Sequence, residues 1–331
     1  MSILVTGGCG YIGSHMVHEL ADAGRDVVVL DNLSTGMRWA LAPAAKLVVG
    51  DIGNQDLTTS IIRQHDVTAI IHFAGSIVVP ESVADPLGYY LNNTVKSRAL
   101  MEAAVMGGVK HFIFSSTAAV YGNPKSGDPI TETDLTEPMS PYGSSKLMTE
   151  IMLRDAARAH DFRFAALRYF NVAGADPKGR TGQSTPRATH LIKVACETAL
   201  GKRSGMEVFG TDYPTADGTC VRDYIHVTDL ARAHLAALGH LEAGGQSDIF
   251  NCGYGKGYSV REVIDAVKRV SKRDFSVKLS DRRPGDPAQI VASSNKIRSA
   301  LGWKPTLDNL DQIVGHALAW EQHLSRRNEA A

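Results

Sequence analysis

The sequence predicts an α/β fold, a Rossmann-type doubly wound parallel sheet joined to a smaller α/β domain, and three observations carry that prediction. Short apolar runs alternate with longer segments of helical period through the first half, the runs are apolar on both faces, and the first leads straight into glycines. Val27-Val28-Val29-Leu30 is typical; such runs suit strands covered by helices above and below, as in a parallel sheet with crossover connections. Strands are expected at 3–6, 27–30, 47–49, 69–73, 111–115 and 164–169. Between them, segments 11–23, 87–106 and 142–160 repeat apolar residues at the spacing of a helix that buries one face. After Tyr169 a Gly/Pro/Asp-rich stretch, 171–186, gives way to shorter elements. We therefore expect a first domain at 1–172 and a second at 173–331, with segments near 224–253 able to return to the first sheet. Pro284-Gly285 and Pro305 read as turn or stop signals.

The chain has 331 residues, 44% of them hydrophobic, enough for a substantial core, and 35 basic residues balance 35 acidic ones. Without a cationic excess it is not expected to be a dedicated nucleic-acid or membrane-surface binder, so anionic ligands must be met locally. Cys9, Cys196, Cys220 and Cys252 are scattered and form no C-x-x-C pair, as expected of a reduced, cytoplasmic protein without a structural metal. The N-terminus has no charged region before its few apolar residues, so no secretory leader is expected. No apolar run approaches the roughly 20 residues of a membrane-spanning helix.

Gly7, Gly10 and Gly13 follow the first strand as G-x-x-G-x-x-G and open the first helix through Tyr11 and Ile12. Small residues there let backbone N–H groups approach a pyrophosphate, which the helix N-terminus favours; an ordinary glycine-rich turn would look the same. Asp31 and Asn32 close the second strand. An acidic side chain there can accept bonds from an adenosine ribose, or can cap the turn. A carboxylate repels a 2′-phosphate and no arginine follows, so NAD is expected rather than NADP. Asp51 and Ile52, at the end of the third strand, can flank the adenine, though a solvated loop aspartate would look much the same.

Ser140-Pro141-Tyr142 opens a helix with a capping serine and a first-turn proline. Tyr142 and Lys146, four positions apart, leave the same helix face. A phenol has an ordinary pKa near 10, but a nearby ammonium and a positively charged nicotinamide both favour the phenolate. Tyr142 can then remove a hydroxyl proton while hydride leaves the same carbon, and Lys146 can hold the nicotinamide ribose. The strand at 111–115 delivers Ser115, Ser116 and Thr117 to its carboxyl end, where open α/β sheets bind ligands. Thr117 can bond the reacting hydroxyl.

Together these residues resemble the extended branch of the short-chain dehydrogenase/reductase superfamily. Further strings narrow the resemblance: Val5-Thr6-Gly7-Gly8, Asp31-Asn32-Leu33, His72-Phe73-Ala74-Gly75, Tyr89-Tyr90-Leu91-Asn92-Asn93, Ser140-Pro141-Tyr142-Gly143, Leu167-Arg168-Tyr169-Phe170-Asn171 and the run from Asp217 to Val227. Over essentially the whole chain they are similar to the UDP-glucose 4-epimerase family. That resemblance implies a 1–172 NAD-binding domain and a 173–331 UDP-sugar-binding domain. It implies Thr117, Tyr142 and Lys146 as the catalytic hydroxyl, base and lysine. Phe73, Ala74, Gly75, Asn92, Ser115 and Tyr169 would lie around the NAD. Asn171, His190, Leu191, Phe209, Arg222, Arg283 and Asp286 would hold the UDP-sugar, the arginines on the diphosphate and Phe209 on the uracil.

The implied reaction is reversible interconversion of UDP-glucose and UDP-galactose through a 4-keto sugar, with NAD staying bound, in a homodimer built on segments 87–106 and 142–160. Three departures are visible. Ile77 stands where some members of that family have a lysine near the cofactor phosphates, and His190 stands where many have asparagine. Ile290 occupies a position tied to the size of the C2 substituent. Alternatives that stay open are 4-epimerisation of UDP-GlcNAc or UDP-xylose and a non-catalytic NAD-binding regulator. Ala118-Ala119 lacks the Asp-Glu pair that resemblance to the dehydratase branch would require.

Overall fold

A computed structural model describes residues 1–124, 127–185, 188–283 and 286–329; the expected turn at Pro284-Gly285 lies outside them. The apolar runs of the first half become β1 (Ser2–Thr6), β2 (Asp26–Asp31), β3 (Lys46–Val49), β4 (Val67–His72), β5 (His111–Thr117) and β6 (Arg163–Tyr169). A seventh strand, β10 (Asp248–Cys252), joins them from the second half, in the order β10-β6-β5-β4-β1-β2-β3, with every neighbouring pair parallel. Chain order reverses between β1 and β4, the switch point outside which such sheets bind ligands.

Alternation of side chains along each strand supplies two cores. Ile3, Val5 and Val29 point toward α1 (Tyr11–Asp22) and α8 (Val227–Glu242), where they meet Leu20, Leu230 and Leu238. Leu4, Val28, Ile70, Phe112 and Phe114 point the other way, against Ile61 of α2 (Gln55–Gln64), Leu100 of α5 (Lys96–Met106) and Leu153 of α6 (Pro141–Ala159). Helix α6 starts as expected: Ser140 Oγ accepts from the Gly143 N–H at 3.2 Å, and Pro141 occupies the first turn.

The expected helix at 87–106 is not uniform. It comprises α4 (Pro86–Tyr90), a π-helical turn at Leu91–Val95 and α5, and α3 (Val79–Ala84) precedes it. The wide turn sits where Asn92 and Asn93 reach across to Ser76, as described below.

After β6 the chain builds a smaller sheet around β9 (Val221–His226), paired to β7 (Asn171–Ala173), β11 (Gly257–Ser259) and β13 (Gln289–Ile290); β8 (Met206–Phe209) pairs separately with β12 (Val277–Ser280). Thus the run at 249–252 enters the large sheet as β10, while the run at 224–227 falls in β9 and the start of α8. Helices α7 (Leu191–Ala199), α9 (Val260–Ser271) and α11 (Leu310–Glu329) enclose a third core containing Ile192, Cys196, Val263, Val267, Ile313 and Val314. The short α10 (Asn295–Leu301) buries Ile297 in the first core, beside β10.

Candidate active site

From β1 the chain turns through Gly7-Gly8-Cys9-Gly10 into α1. Gly7 has φ of +70°, in the left-handed region that favours glycine, and a Cβ there would lie 2.6 Å from the Ala74 nitrogen. Only glycine lets this turn rest on the segment that follows β4. A Cβ on Gly13 would lie 2.1 Å from the Gly7 carbonyl oxygen, whereas one on Gly10 would meet only that oxygen, at 3.2 Å, and otherwise open space. Gly10 is the N-cap of α1, no side chain caps it, and no acidic residue stands in the first turn. An open, uncapped, electropositive helix end of this kind fits a pyrophosphate.

Asp31 caps the turn that follows β2. Its oxygens accept from the Cys9 N–H at 2.9 Å and the Leu33 N–H at 2.8 Å, and each carboxylate oxygen has a further acceptor site for a ribose. Asn32 accepts from the Ser34 N–H at 3.0 Å. Asp51 lies two residues past β3 rather than at its end. Partial burial works against its charge, but the Lys96 ammonium at 2.6 Å and the Gly53 N–H hold the carboxyl below its ordinary value. The Ile52 side chain is buried in the second core. Tyr11 uses its hydroxyl on the Gly174 carbonyl, 2.7 Å away.

At the carboxyl end of β5, Tyr142 on α6 is buried, and its phenol lies beside the Thr117 hydroxyl. Burial pushes the phenol above its ordinary value, and the Thr117 hydroxyl pulls the other way. Lys146 donates to the Ser115 carbonyl at 2.9 Å and lies over the Phe114 ring at 4.9 Å; burial lowers its pKa to about 8. The spacing puts both groups on one face, but the ammonium turns to the strand, and the phenol stays above its ordinary value.

Around this pair the remaining expected residues take defined places. Ser115 Oγ bonds the Tyr169 hydroxyl. Phe73 packs on His234, ring centroids 4.8 Å apart. Asn92 donates to Ser76 Oγ at 2.9 Å. Asn93, next to it in the π turn, accepts from the Ser76 N–H at 2.7 Å and donates to Ser145 Oγ at 3.1 Å, tying the Gly75–Ser76 loop to α6. The sequence reading passed over Asn93, although a second asparagine beside Asn92 was visible, and over Glu150, although it stands four positions beyond Lys146.

The other expected residues fall into groups. Asn171, His190 and Leu191 line one cavity with Gln183, Tyr224 and Trp320. His190 Nδ1 lies 2.7 Å from Gln183 Nε2, and burial, then Lys193, lowers its pKa, which suits an uncharged stand-in for an amide. Elsewhere Arg283 lies over the Phe209 ring at 4.7 Å and donates to Asp286 at 3.0 Å, so these three come together. Arg222 stands across from Ile290 on β13 and Tyr258 on β11, and donates to the Val221 carbonyl at 2.9 Å. Ile77 is exposed.

Residues 3–253 match the NAD dependent epimerase/dehydratase family. The chain is 58% identical to a UDP-glucose 4-epimerase of Azospirillum brasilense over 98% of this chain and 93% of that protein. Its fold is similar to that of the UDP-glucose 4-epimerase of Brucella ovis solved with NAD, at a TM-score of 0.93 and 42% identity, covering 96% of this chain and 97% of that one. It is also similar to the UDP-Glc/GlcNAc 4-epimerase of Campylobacter jejuni, at a TM-score of 0.86 and 47% identity over 97% and 99% of the two chains.

Proposed function

Because the chain belongs to the NAD dependent epimerase/dehydratase family, we propose that it is an enzyme that reversibly interconverts UDP-glucose and UDP-galactose at carbon 4, through a 4-keto sugar, with NAD as its cofactor. The observation that carries this reading is the joining of a phenol, a hydroxyl and a buried lysine at the carboxyl end of β5, in a sheet whose glycine turn fits a pyrophosphate.

The turn at Gly7, Gly10, Tyr11, Ile12 and Gly13 would hold the pyrophosphate, Asp31 and Asn32 the adenosine ribose, and Asp51 and Ile52 the adenine edge. Phe73, Ala74, Gly75, Asn92, Ser115, Lys146 and Tyr169 would line the nicotinamide end. When bound, the cofactor supplies an acceptor and donor of hydride for carbon 4. Tyr142 Oη takes the proton of the sugar's O4 and later returns it, and Thr117 Oγ1 steadies that hydroxyl within hydrogen-bond reach. The raised phenol makes Tyr142 a proton donor by default; a positive charge beside the bound sugar converts it to a base.

Asn171, His190, Leu191 and Phe209 grip the nucleotide, and Arg222 and Arg283, the latter oriented by Asp286, meet the diphosphate. Contacts concentrated on UDP leave the sugar ring free to present either face, which inversion requires. The residues upstream of 172 serve the cofactor in this reading, and those after 173 the UDP-sugar.

Among the described residues no helix is long and apolar enough to cross a membrane. With four buried free cysteines, this supports a cytoplasmic enzyme. Val83, Leu87, Leu91 and Val95, with Met148 and Ile151 on α6, leave large apolar side chains exposed on adjoining helices. A monomer rarely carries so extended a patch, and two-fold pairing would bury it in a four-helix homodimer.

The test is to incubate the purified protein, without added NAD, with UDP-galactose and separately with UDP-GalNAc, and to identify the products. UDP-glucose from the first is expected, with deuterium placed on carbon 4 retained. Failure on UDP-galactose, or loss of the label to solvent, rejects the reading.

A further inference from the structure

Three successive residues of β5 are each tied to one of three residues spaced by four on α6. Thr117 stands beside Tyr142, the Ser115 carbonyl accepts from Lys146, and Ser116 Oγ donates to Glu150. Residues at these spacings follow one another along a single helix face. The third rung differs from the others in carrying a buried ion pair. Ser116 is in register with Arg168 on β6, and Arg168 binds both oxygens of Glu150, through Nε at 3.0 Å and Nη2 at 2.6 Å. Their side chains are only 5% and 2% exposed. Arg168 also donates to the Tyr121 hydroxyl at 2.9 Å, which donates to Asn251 of β10 at 2.7 Å. Glu150 is therefore fixed to three strands of the sheet while riding on the helix that carries Tyr142 and Lys146.

We propose that Glu150 is a positioning residue for the reaction: seated on the cross-strand pair of Ser116 and Arg168, it sets how α6 docks against the end of β5 and places a buried negative charge one helical turn from Lys146. The inference rests on the roles given above to Tyr142, Lys146 and Thr117.

Two consequences separate this role from simple core packing. The first is geometric. The Tyr142 and Thr117 hydroxyls are presented by different elements, and Glu150 ties those elements together through Ser116 while its ion pair with Arg168 anchors α6 to β6 as well. The second is electrostatic. Burial favours the neutral amine of Lys146, and Glu150 opposes it. Other charged or titratable groups near this site are His72 from β4, held neutral by burial, Tyr142 on α6, and Arg168 and Tyr169 from β6. None of these is an anion while Tyr142 keeps its proton, so the negative charge that faces the two buried cations comes from Glu150.

The test compares kcat and KM for UDP-galactose from neutral to alkaline pH in the wild type, Glu150→Gln and Glu150→Asp. Glu150→Gln keeps the shape and loses the charge. Its kcat should fall on the order of 100-fold with KM nearly unchanged, and its alkaline limb should move down by about one pH unit as Lys146 loses its proton earlier. Glu150→Asp keeps the charge but is too short to span Ser116 and Arg168, so the limb should return toward its wild-type position while kcat stays low. A folded Glu150→Gln with wild-type kcat and an unmoved limb overturns the inference, as does a variant that loses only thermal stability. Should Glu150→Gln not fold, Ser116→Ala decides: a lower kcat at unchanged KM supports the role, and a wild-type kcat rejects it. A wild type inactive on UDP-galactose overturns the functional reading and this inference together, whereas an active wild type beside an indifferent Glu150 variant overturns the inference alone.

Discussion

The two ends of the candidate site are made of different material. At Gly7–Gly13 the surface is backbone: glycines, an uncapped helix end, and neighbours so close that a Cβ on Gly7 or Gly13 has no room. At Phe209, Arg283 and Asp286 it is side chain, an aromatic face at the end of β8 under a guanidinium that a carboxylate orients. A backbone site is rigid and all-or-none. One built from side chains can be trimmed a group at a time, and its losses are graded.

Four substitutions sharpen or break that contrast. The largest effect belongs between the two ends: Tyr142→Phe should lower kcat by about 10²- to 10⁴-fold, as loss of a general acid–base group does, with UDP-sugar affinity intact by calorimetry. Next, Arg283→Ala should raise KM by roughly 10- to 100-fold, the worth of a charged hydrogen bond, with kcat largely kept; a collapse of kcat at unchanged KM would remove Arg283 from diphosphate binding. Gly10→Ala is smaller and more diagnostic. The added methyl touches only the Gly7 carbonyl oxygen, at 3.2 Å, so melting temperature should change little while retention of NAD weakens about tenfold at the helix end; equal retention would mean that the pyrophosphate lies elsewhere. The smallest change is Lys96→Ala, which removes the part-exposed pair with Asp51 and should cost about 0–1 kcal/mol in denaturant unfolding.

What was legible in the sequence followed the same division. Strand runs and the G-x-x-G-x-x-G spacing are local patterns, and β1, β2 and the turn fall where they pointed, as does the start of α6 at its Ser-Pro cap. Tyr142 and Lys146 were legible as a spacing, but the direction of the ammonium was not, because it depends on a carbonyl 31 residues away in sequence. The π turn escaped because periodicity over 87–106 averages across it; its cause is the asparagine pair reaching Ser76. Glu150 went unread for the same reason as Lys146's direction: its partners Ser116 and Arg168 become neighbours only when β5 and β6 pair.

The late arrival of β10 bears on how the molecule can be made. Its partner β6 ends at Tyr169, and synthesis must continue through β7, α7, β8, β9 and α8 before Asp248–Cys252 can close that edge. During translation the edge is a bare template, open to pairing with another nascent chain. A fragment stopped at residue 172 inherits that defect permanently. The two halves are therefore poor candidates for separate expression, whatever division of labour they have in the finished enzyme.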